Sequence, residues 1–87
     1  MRLATWNVHC GVFAERPPLQ APDLAYIGSC LRALAADVVC LQEFMLPGGN
    51  DPAAIERLQA DAGYAHAAFM RLSGSHLGPG DMGLLTL

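Results

Sequence analysis

Lysine is absent from this chain of 87 residues, and its positive charge comes from five arginines that are scattered along the sequence. Eight acidic residues outnumber them, which gives a formal net charge of −3 at neutral pH. Proteins that bind nucleic acid usually carry a basic patch, because the neutralisation of backbone phosphates supplies much of their affinity. No such patch is evident, so the charge pattern disfavours a nucleic-acid surface within these residues.

Cysteines and long apolar runs are also scarce. Cys10, Cys30 and Cys40 are odd in number and lack C-x-x-C spacing, so they predict neither a disulfide framework nor a zinc site. We expect reduced thiols and a cytoplasmic protein. No apolar run reaches the ~18 residues that would cross a membrane. No basic segment followed by an apolar stretch predicts a signal peptide either.

The residues that are present favour a folded α/β domain. The chain is 53% hydrophobic and 15% charged, which is typical of globular proteins. Alternating and three-to-four spacing of apolar residues predicts six elements in the order β-α-β-α-β-β. The predicted strands cover residues 2–8, 37–43, 64–70 and 84–87, and the predicted helices cover residues 23–36 and 52–62. Because a helix joins the first two strands, we expect them to be parallel.

Two further expectations concern the limits of the sheet. The apolar run at residues 37–43 is typical of a strand that is covered on both faces. The last predicted strand reaches Leu87, and a domain rarely ends inside its sheet because the edge would stay unpaired. We therefore expect residues 1–87 to form a single partial domain, truncated at its C-terminal end.

Polar side chains interrupt the apolar pattern at the ends of the first two strands. Asn7 lies near the end of the first strand, and Glu43 ends the second. In open α/β sheets, ligands bind outside the carboxyl ends of parallel strands, and neighbouring strands lie ~5 Å apart. An amide oxygen and a carboxylate are hard ligands that suit Mg²⁺ or Mn²⁺. Taken alone, such residues are more often turn formers and solvated caps, so the pattern leaves both interpretations open.

The amino-acid sequences of three segments resemble those of one known family. Thr5-Trp6-Asn7-Val8-His9-x-Gly11 is followed by a helix, by Asp37-Val-Val-Cys-Leu-Gln-Glu43 and by Gly83-Leu-Leu-Thr-Leu87. In this order they resemble the endonuclease/exonuclease/phosphatase superfamily, the metal-dependent phosphoesterases related to DNase I. The resemblance implies a four-layer α/β sandwich, with two sheets packed face to face and helices outside. This chain would supply its N-terminal part, roughly the first third.

The resemblance also implies roles for individual residues. Glu43 matches the family's direct ligand of the catalytic divalent metal, Mg²⁺ or Mn²⁺, and Asn7 lines the same site and assists there. Gln42 also matches the family motif, and the resemblance implies only a supporting role for it. His9 matches the motif too, but no chemical role is assigned to it. The implied activity is hydrolysis of a phosphate ester, with nucleic acid, lipid headgroups, phosphoinositides and small esters all open as substrates. The family's Asp-x-Asn motif and terminal Asp-His pair do not occur here, so we expect the isolated chain to be nearly inactive.

Other interpretations use different features. A non-catalytic interaction module could pair with another chain through an exposed strand edge at residues 84–87. Gly78 to Gly83 spells G-x-G-x-x-G, but a dinucleotide site needs a strand directly before this motif and a helix opening at it, whereas a loop is predicted here with a strand after it. His76 is more often a solvated loop residue than a phosphate ligand, and His66 is expected to be structural.

Overall fold

The described residues form two helices and four strands, which follow one another in the predicted order β-α-β-α-β-β. The computed structural model describes residues 1–9, 23–46, 52–74 and 81–87. The elements are β1 (Leu3–Asn7), α1 (Leu24–Leu34), β2 (Val38–Met45), α2 (Ala53–Ala62), β3 (Ala68–Gly74) and β4 (Asp81–Thr86). Neither of these helices is long and apolar enough to span a membrane.

The four strands form one mixed sheet in the order β1-β2-β4-β3. β1 and β2 are parallel, as the helix between them predicts, whereas β4 is antiparallel to both of its neighbours. The prediction of an exposed edge at residues 84–87 is wrong, because β4 pairs with β2 on one side and with β3 on the other. An interaction module that recruits a partner through that edge therefore loses its structural basis.

Both helices help to cover one face of the sheet, and the core lies between these layers. Ile27, Leu31 and Leu58 supply the buried helical side chains, and Val39, Leu41, Phe44 and Leu85 supply those of the sheet. In β1, Ala4 and Trp6 are partly buried while Leu3, Thr5 and Asn7 are exposed. These are the two faces that the alternating pattern predicts.

The opposite face of the sheet is uncovered in the described part of the chain. Cys40 is exposed although its neighbours Val39 and Leu41 are fully buried. The prediction that the second strand is covered on both faces is therefore wrong for these residues. We call this surface the open face. It carries large apolar side chains, since Leu3 is 68% exposed and Met70 is 60% exposed.

Helix α1 is fixed at both ends by polar contacts. The Asp23 carboxylate accepts a hydrogen bond from the backbone N–H of Tyr26 at 3.0 Å, which satisfies one of the free donors of the first turn. At the other end, the Arg2 guanidinium donates to the carbonyl oxygen of Leu34 at 2.9 Å. Ala35 then adopts a left-handed conformation with φ 50°. The helix consequently ends two residues before the predicted boundary.

The third strand begins four residues later than predicted. Gly63 ends α2 in a left-handed conformation, and the Tyr64 hydroxyl donates to the carbonyl oxygen of Ala36 at 2.7 Å. Tyr64 thus anchors the connection between α2 and β3 instead of opening a strand. His66 lies exposed in that connection. His76 falls outside the described residues.

Gly83 lies where β4 runs unusually close to β3. A Cβ atom at this position would overlap the carbonyl oxygen of Met70 and lie 3.0 Å from the Cα of Arg71. These are backbone atoms of the neighbouring strand, which cannot move aside as the end of a flexible side chain can. The sheet therefore requires glycine here.

We expect Gly83→Ala to lower the free energy of unfolding by about 1–3 kcal/mol or more, because the added methyl group overpacks the β3–β4 contact. Urea unfolding of the wild-type and variant proteins measures this difference. Gly28→Ala is the matched control, since its Cβ would meet the nearest atom at 3.4 Å and alanine favours a helix interior. A Gly83→Ala protein as stable as wild type would contradict the steric explanation.

Burial raises the pKa of the Tyr64 phenol, and the negative charge of Asp37 raises it further. A raised pKa in the folded state means that the neutral phenol contributes stability below the unfolded pKa of about 10, and that this contribution is lost as the pH rises through the folded pKa. At about pH 8 we expect Tyr64→Phe to cost about 0.5–1.5 kcal/mol through the lost hydrogen bond. Unfolding curves at about pH 8 and pH 11 measure the difference in the free energy of unfolding between the two proteins. We expect this gap to be smaller at the higher pH. A gap that stays constant or widens would contradict this assignment.

Candidate functional site

Parallel pairing brings the ends of β1 and β2 together. Asn7 lies opposite Gln42 in the register, and the backbone N–H of Val8 donates to the carbonyl oxygen of Gln42 at 3.0 Å. The next residue is Glu43, and Asn7 Nδ2 donates to Glu43 Oε2 at 2.5 Å. Both residues that the sequence predicts for the site therefore meet at this edge of the sheet. Their role in binding metal stays a prediction.

The orientation of the Asn7 amide follows from a second hydrogen bond. Asn7 Oδ1 accepts from the backbone N–H of His9 at 2.9 Å, in a short turn where His9 has φ 49°. An amide oxygen can only accept, so this contact leaves the NH₂ group to face Glu43. Asn7 is thus fixed by its own backbone and acts as a donor to the carboxylate. The His9 side chain is exposed, and His9 contributes to this turn through its backbone.

Glu43 owes its position to a β-bulge in β2. Leu41 pairs with Leu85 but Phe44 pairs with Gly83, so β2 has one residue more than β4 between these two pairs. Without the bulge, Glu43 would share the face of Leu41, which is fully buried among apolar side chains. With it, Phe44 takes the core position and the carboxylate stays at the end of the sheet.

The bulge places a strained residue at the site. Glu43 has φ 52°, a left-handed conformation that residues other than glycine rarely adopt. Such conformations cost about 1–3 kcal/mol, and they cluster at functional sites, where the surrounding structure holds them in place. The hydrogen bond from Asn7 is one of the contacts that hold Glu43 here.

The carboxylate of Glu43 retains capacity for a cation. Glu43 is half-buried as a residue, its contact with Asn7 is exposed, and within the described segments the carboxylate accepts one hydrogen bond and forms no ion pair. Arg71 pairs instead with Asp81, at 2.8 Å. A carboxylate has about four lone-pair positions, so several are left for a ligand. Its hard oxygen atoms fit Mg²⁺ or Mn²⁺, which bind through one or two protein carboxylates and keep several waters.

The described residues provide at most part of a coordination shell. No group of three or more histidine, cysteine, aspartate or glutamate residues within them could hold a metal ion. Gln42 does not face the carboxylate of Glu43, because its Nε2 donates to Thr5 Oγ1 at 2.7 Å and to the carbonyl oxygen of Cys40 at 3.1 Å. Sequence reasoning did not single out Thr5. The alternation of β1 nevertheless places Thr5 on the same face as Asn7, which is the pattern that could have identified it.

Comparison with known proteins identifies relatives of this chain. Residues 4–87 match the model of the Endonuclease/Exonuclease/phosphatase family. The crystal structure of an endonuclease/exonuclease/phosphatase from Beutenbergia cavernae is similar to this chain, with a TM-score of 0.73 and 29% sequence identity. The match covers 98% of this chain and 25% of that one, so this chain spans about a quarter of its length. No protein with a curated description matches the chain.

The left-handed conformation of Glu43 predicts an unusual order of stability between two variants. Glu43→Gly and Glu43→Ala both remove the carboxylate, but only alanine keeps a Cβ that clashes when φ is positive. We expect Glu43→Gly to be more stable than Glu43→Ala by about 1 kcal/mol, as measured by urea unfolding. In an ordinary strand position glycine is the less stable of the two, so that order would contradict the strained bulge.

Proposed function

The chain belongs to the endonuclease/exonuclease/phosphatase family, and on that premise we propose that the complete protein hydrolyses a phosphate ester with the help of a divalent metal, Mg²⁺ or Mn²⁺. The observation that carries the proposal is the Asn7–Glu43 pair. It holds a carboxylate without a countercharge in the described part of the chain, at the carboxyl ends of two parallel strands. Ligand sites of open α/β sheets occur at such ends.

In this proposal the two residues have different tasks. Glu43 binds the cation through its carboxylate oxygens, and Asn7 orients that carboxylate by donating a hydrogen bond to it. Direct coordination by the Asn7 oxygen would engage an atom that already accepts from the His9 backbone. When bound, the cation supplies Lewis-acid chemistry at the phosphoryl group.

We further propose that residues 1–87 are the N-terminal portion of the catalytic domain. Hydrolysis also needs a base for water and a group that stabilises the leaving oxygen. The resemblance implies that an Asp-x-Asn motif and an Asp-His pair do this, and neither occurs in the 87 residues. The length of the Beutenbergia cavernae relative and the apolar side chains of the open face, such as Leu3 and Met70, support a larger domain. In that domain, a second sheet packs on the open face.

The substrate and location are proposed in general terms. The substrate is a phosphate monoester or diester, and the scattered arginines offer it no basic patch within residues 1–87. Recognition of a phosphate would then depend on residues elsewhere in the domain. Cys30 and Cys40 are free thiols in the described segments, which supports a cytoplasmic location.

Glu43→Gln tests the proposed metal ligand in the complete protein, because it removes the negative charge and nearly keeps the shape. We expect the metal concentration for half-maximal hydrolysis of a model phosphodiester or monoester to rise at least about tenfold. The measurement is a Mg²⁺ titration of the initial rate, repeated with Mn²⁺.

The matched control for this titration is Glu56→Gln, which makes the same substitution at an exposed glutamate in the first turn of α2. The control should titrate as wild type does. If Glu43→Gln also responds to metal as wild type does, Glu43 is not the ligand and the proposed mechanism fails.

A further inference from the structure

A second polar contact joins β1 and β2 on the open face, next to the Asn7–Glu43 pair. Gln42 Nε2 donates to Thr5 Oγ1 at 2.7 Å and to the carbonyl oxygen of Cys40 at 3.1 Å. An amide nitrogen carries two hydrogens, so these two bonds use its whole donor capacity. The side chain of Gln42 is therefore tied back along the open face, across the register pair of Thr5 and Cys40.

This contact bears on where the bulge of β2 lies. Between Leu41 and Phe44, β2 must accommodate one residue more than β4, and the extra residue can in principle be Gln42 or Glu43. A displacement by one residue along a strand moves a side chain to the opposite face of the sheet. The Gln42 side chain is bonded to Thr5 on the open face, and the left-handed conformation is found at the next residue, Glu43.

We propose that Thr5 and Gln42 are a positioning pair, whose hydrogen bond keeps the bulge at Glu43 and so directs the Glu43 carboxylate toward Asn7. The proposal rests on the proposed function, since it assigns these residues to the same metal site. Within the described residues, Thr5 forms no hydrogen bond with the carboxylate or the amide of that site. It acts through Gln42, the residue that precedes the ligand.

Thr5→Val and Thr5→Ser separate the hydroxyl from the shape of the side chain. Valine keeps the branched shape and loses the acceptor, whereas serine keeps the acceptor and loses a methyl group. In the complete protein we expect Thr5→Val to weaken Mn²⁺ binding about tenfold, as is typical when a residue that orients a metal ligand is removed. Thr5→Ser should bind Mn²⁺ as wild type does. Electron paramagnetic resonance of free Mn²⁺ measures the affinity, and thermal unfolding monitors stability.

The metal-free protein gives a second readout. In ¹⁵N-labelled protein, the side-chain amide resonances of Asn7 report on its hydrogen bond to Glu43. We expect them to move in Thr5→Val toward the positions of an amide without this bond, and to return in Thr5→Ser. The double variant Thr5→Val/Gln42→Met should bind Mn²⁺ no more weakly than Gln42→Met alone, because the contact with Thr5 is already broken in that single variant.

The outcomes separate this proposal from the proposed function. Wild-type Mn²⁺ affinity and unchanged Asn7 resonances in Thr5→Val would overturn the positioning role. Equal weakening in Thr5→Val and Thr5→Ser would also overturn it, because the hydroxyl would then be irrelevant. If Glu43→Gln leaves Mn²⁺ affinity unchanged, the metal assignment fails by itself. The Asn7 resonances of the metal-free variants then still decide whether Thr5 positions the Asn7–Glu43 pair.

Discussion

Under the proposed function, the hydrogen bond from Asn7 to Glu43 is the contact on which metal binding depends. It joins the ends of two parallel strands at an exposed position, and the carboxylate it holds has no countercharge in the described part of the molecule. The negative charge of a carboxylate can be compensated by hydrogen bonds donated to it or by a nearby cation. Asn7 provides the first kind of compensation. A divalent cation, as proposed, would provide the second.

This contact exists because the surrounding sheet departs from regular geometry around Gly83. β2 has a bulge between Leu41 and Phe44, and β3 has a second irregularity after Arg71. Both irregularities adjoin Gly83, which pairs with Phe44 on one side and with Arg71 on the other. The absence of a side chain at Gly83 lets the backbone of β3 approach closely. A residue without chemistry of its own thus helps to build the edge where the carboxylate lies.

The sequence allows the parallel pair and the meeting of Asn7 with Glu43 to be predicted, because a strand–helix–strand unit leaves little choice of direction or neighbour. It does not reveal the bulge, since a regular alternation would put Glu43 on the buried face of Leu41. Tyr64 misleads in another way: an aromatic residue favours a strand, but its hydroxyl here anchors a loop to Ala36. The interior position of β4 is decided by tertiary pairing, which local patterns do not encode.

The open face explains why the coverage of β2 is also mispredicted. An apolar run such as residues 37–43 reflects the surroundings of the strand in the folded protein, and in the described residues one face of that strand is uncovered. Under the proposed function this face packs against a second sheet, which would reconcile the apolar composition with the exposure of Leu3 and Met70. The apolar run would then reflect burial in the complete domain, whereas the described residues show only a part of that domain.

A crystal structure of the complete protein grown with Mn²⁺, with anomalous diffraction to locate the metal, tests the central claim most directly. The account predicts an anomalous peak about 2.0–2.3 Å from a carboxylate oxygen of Glu43, the distance range expected for such cations. It also predicts that Asn7 Nδ2 still donates to that carboxylate. A manganese ion bound elsewhere, with Glu43 out of its coordination shell, would contradict the account.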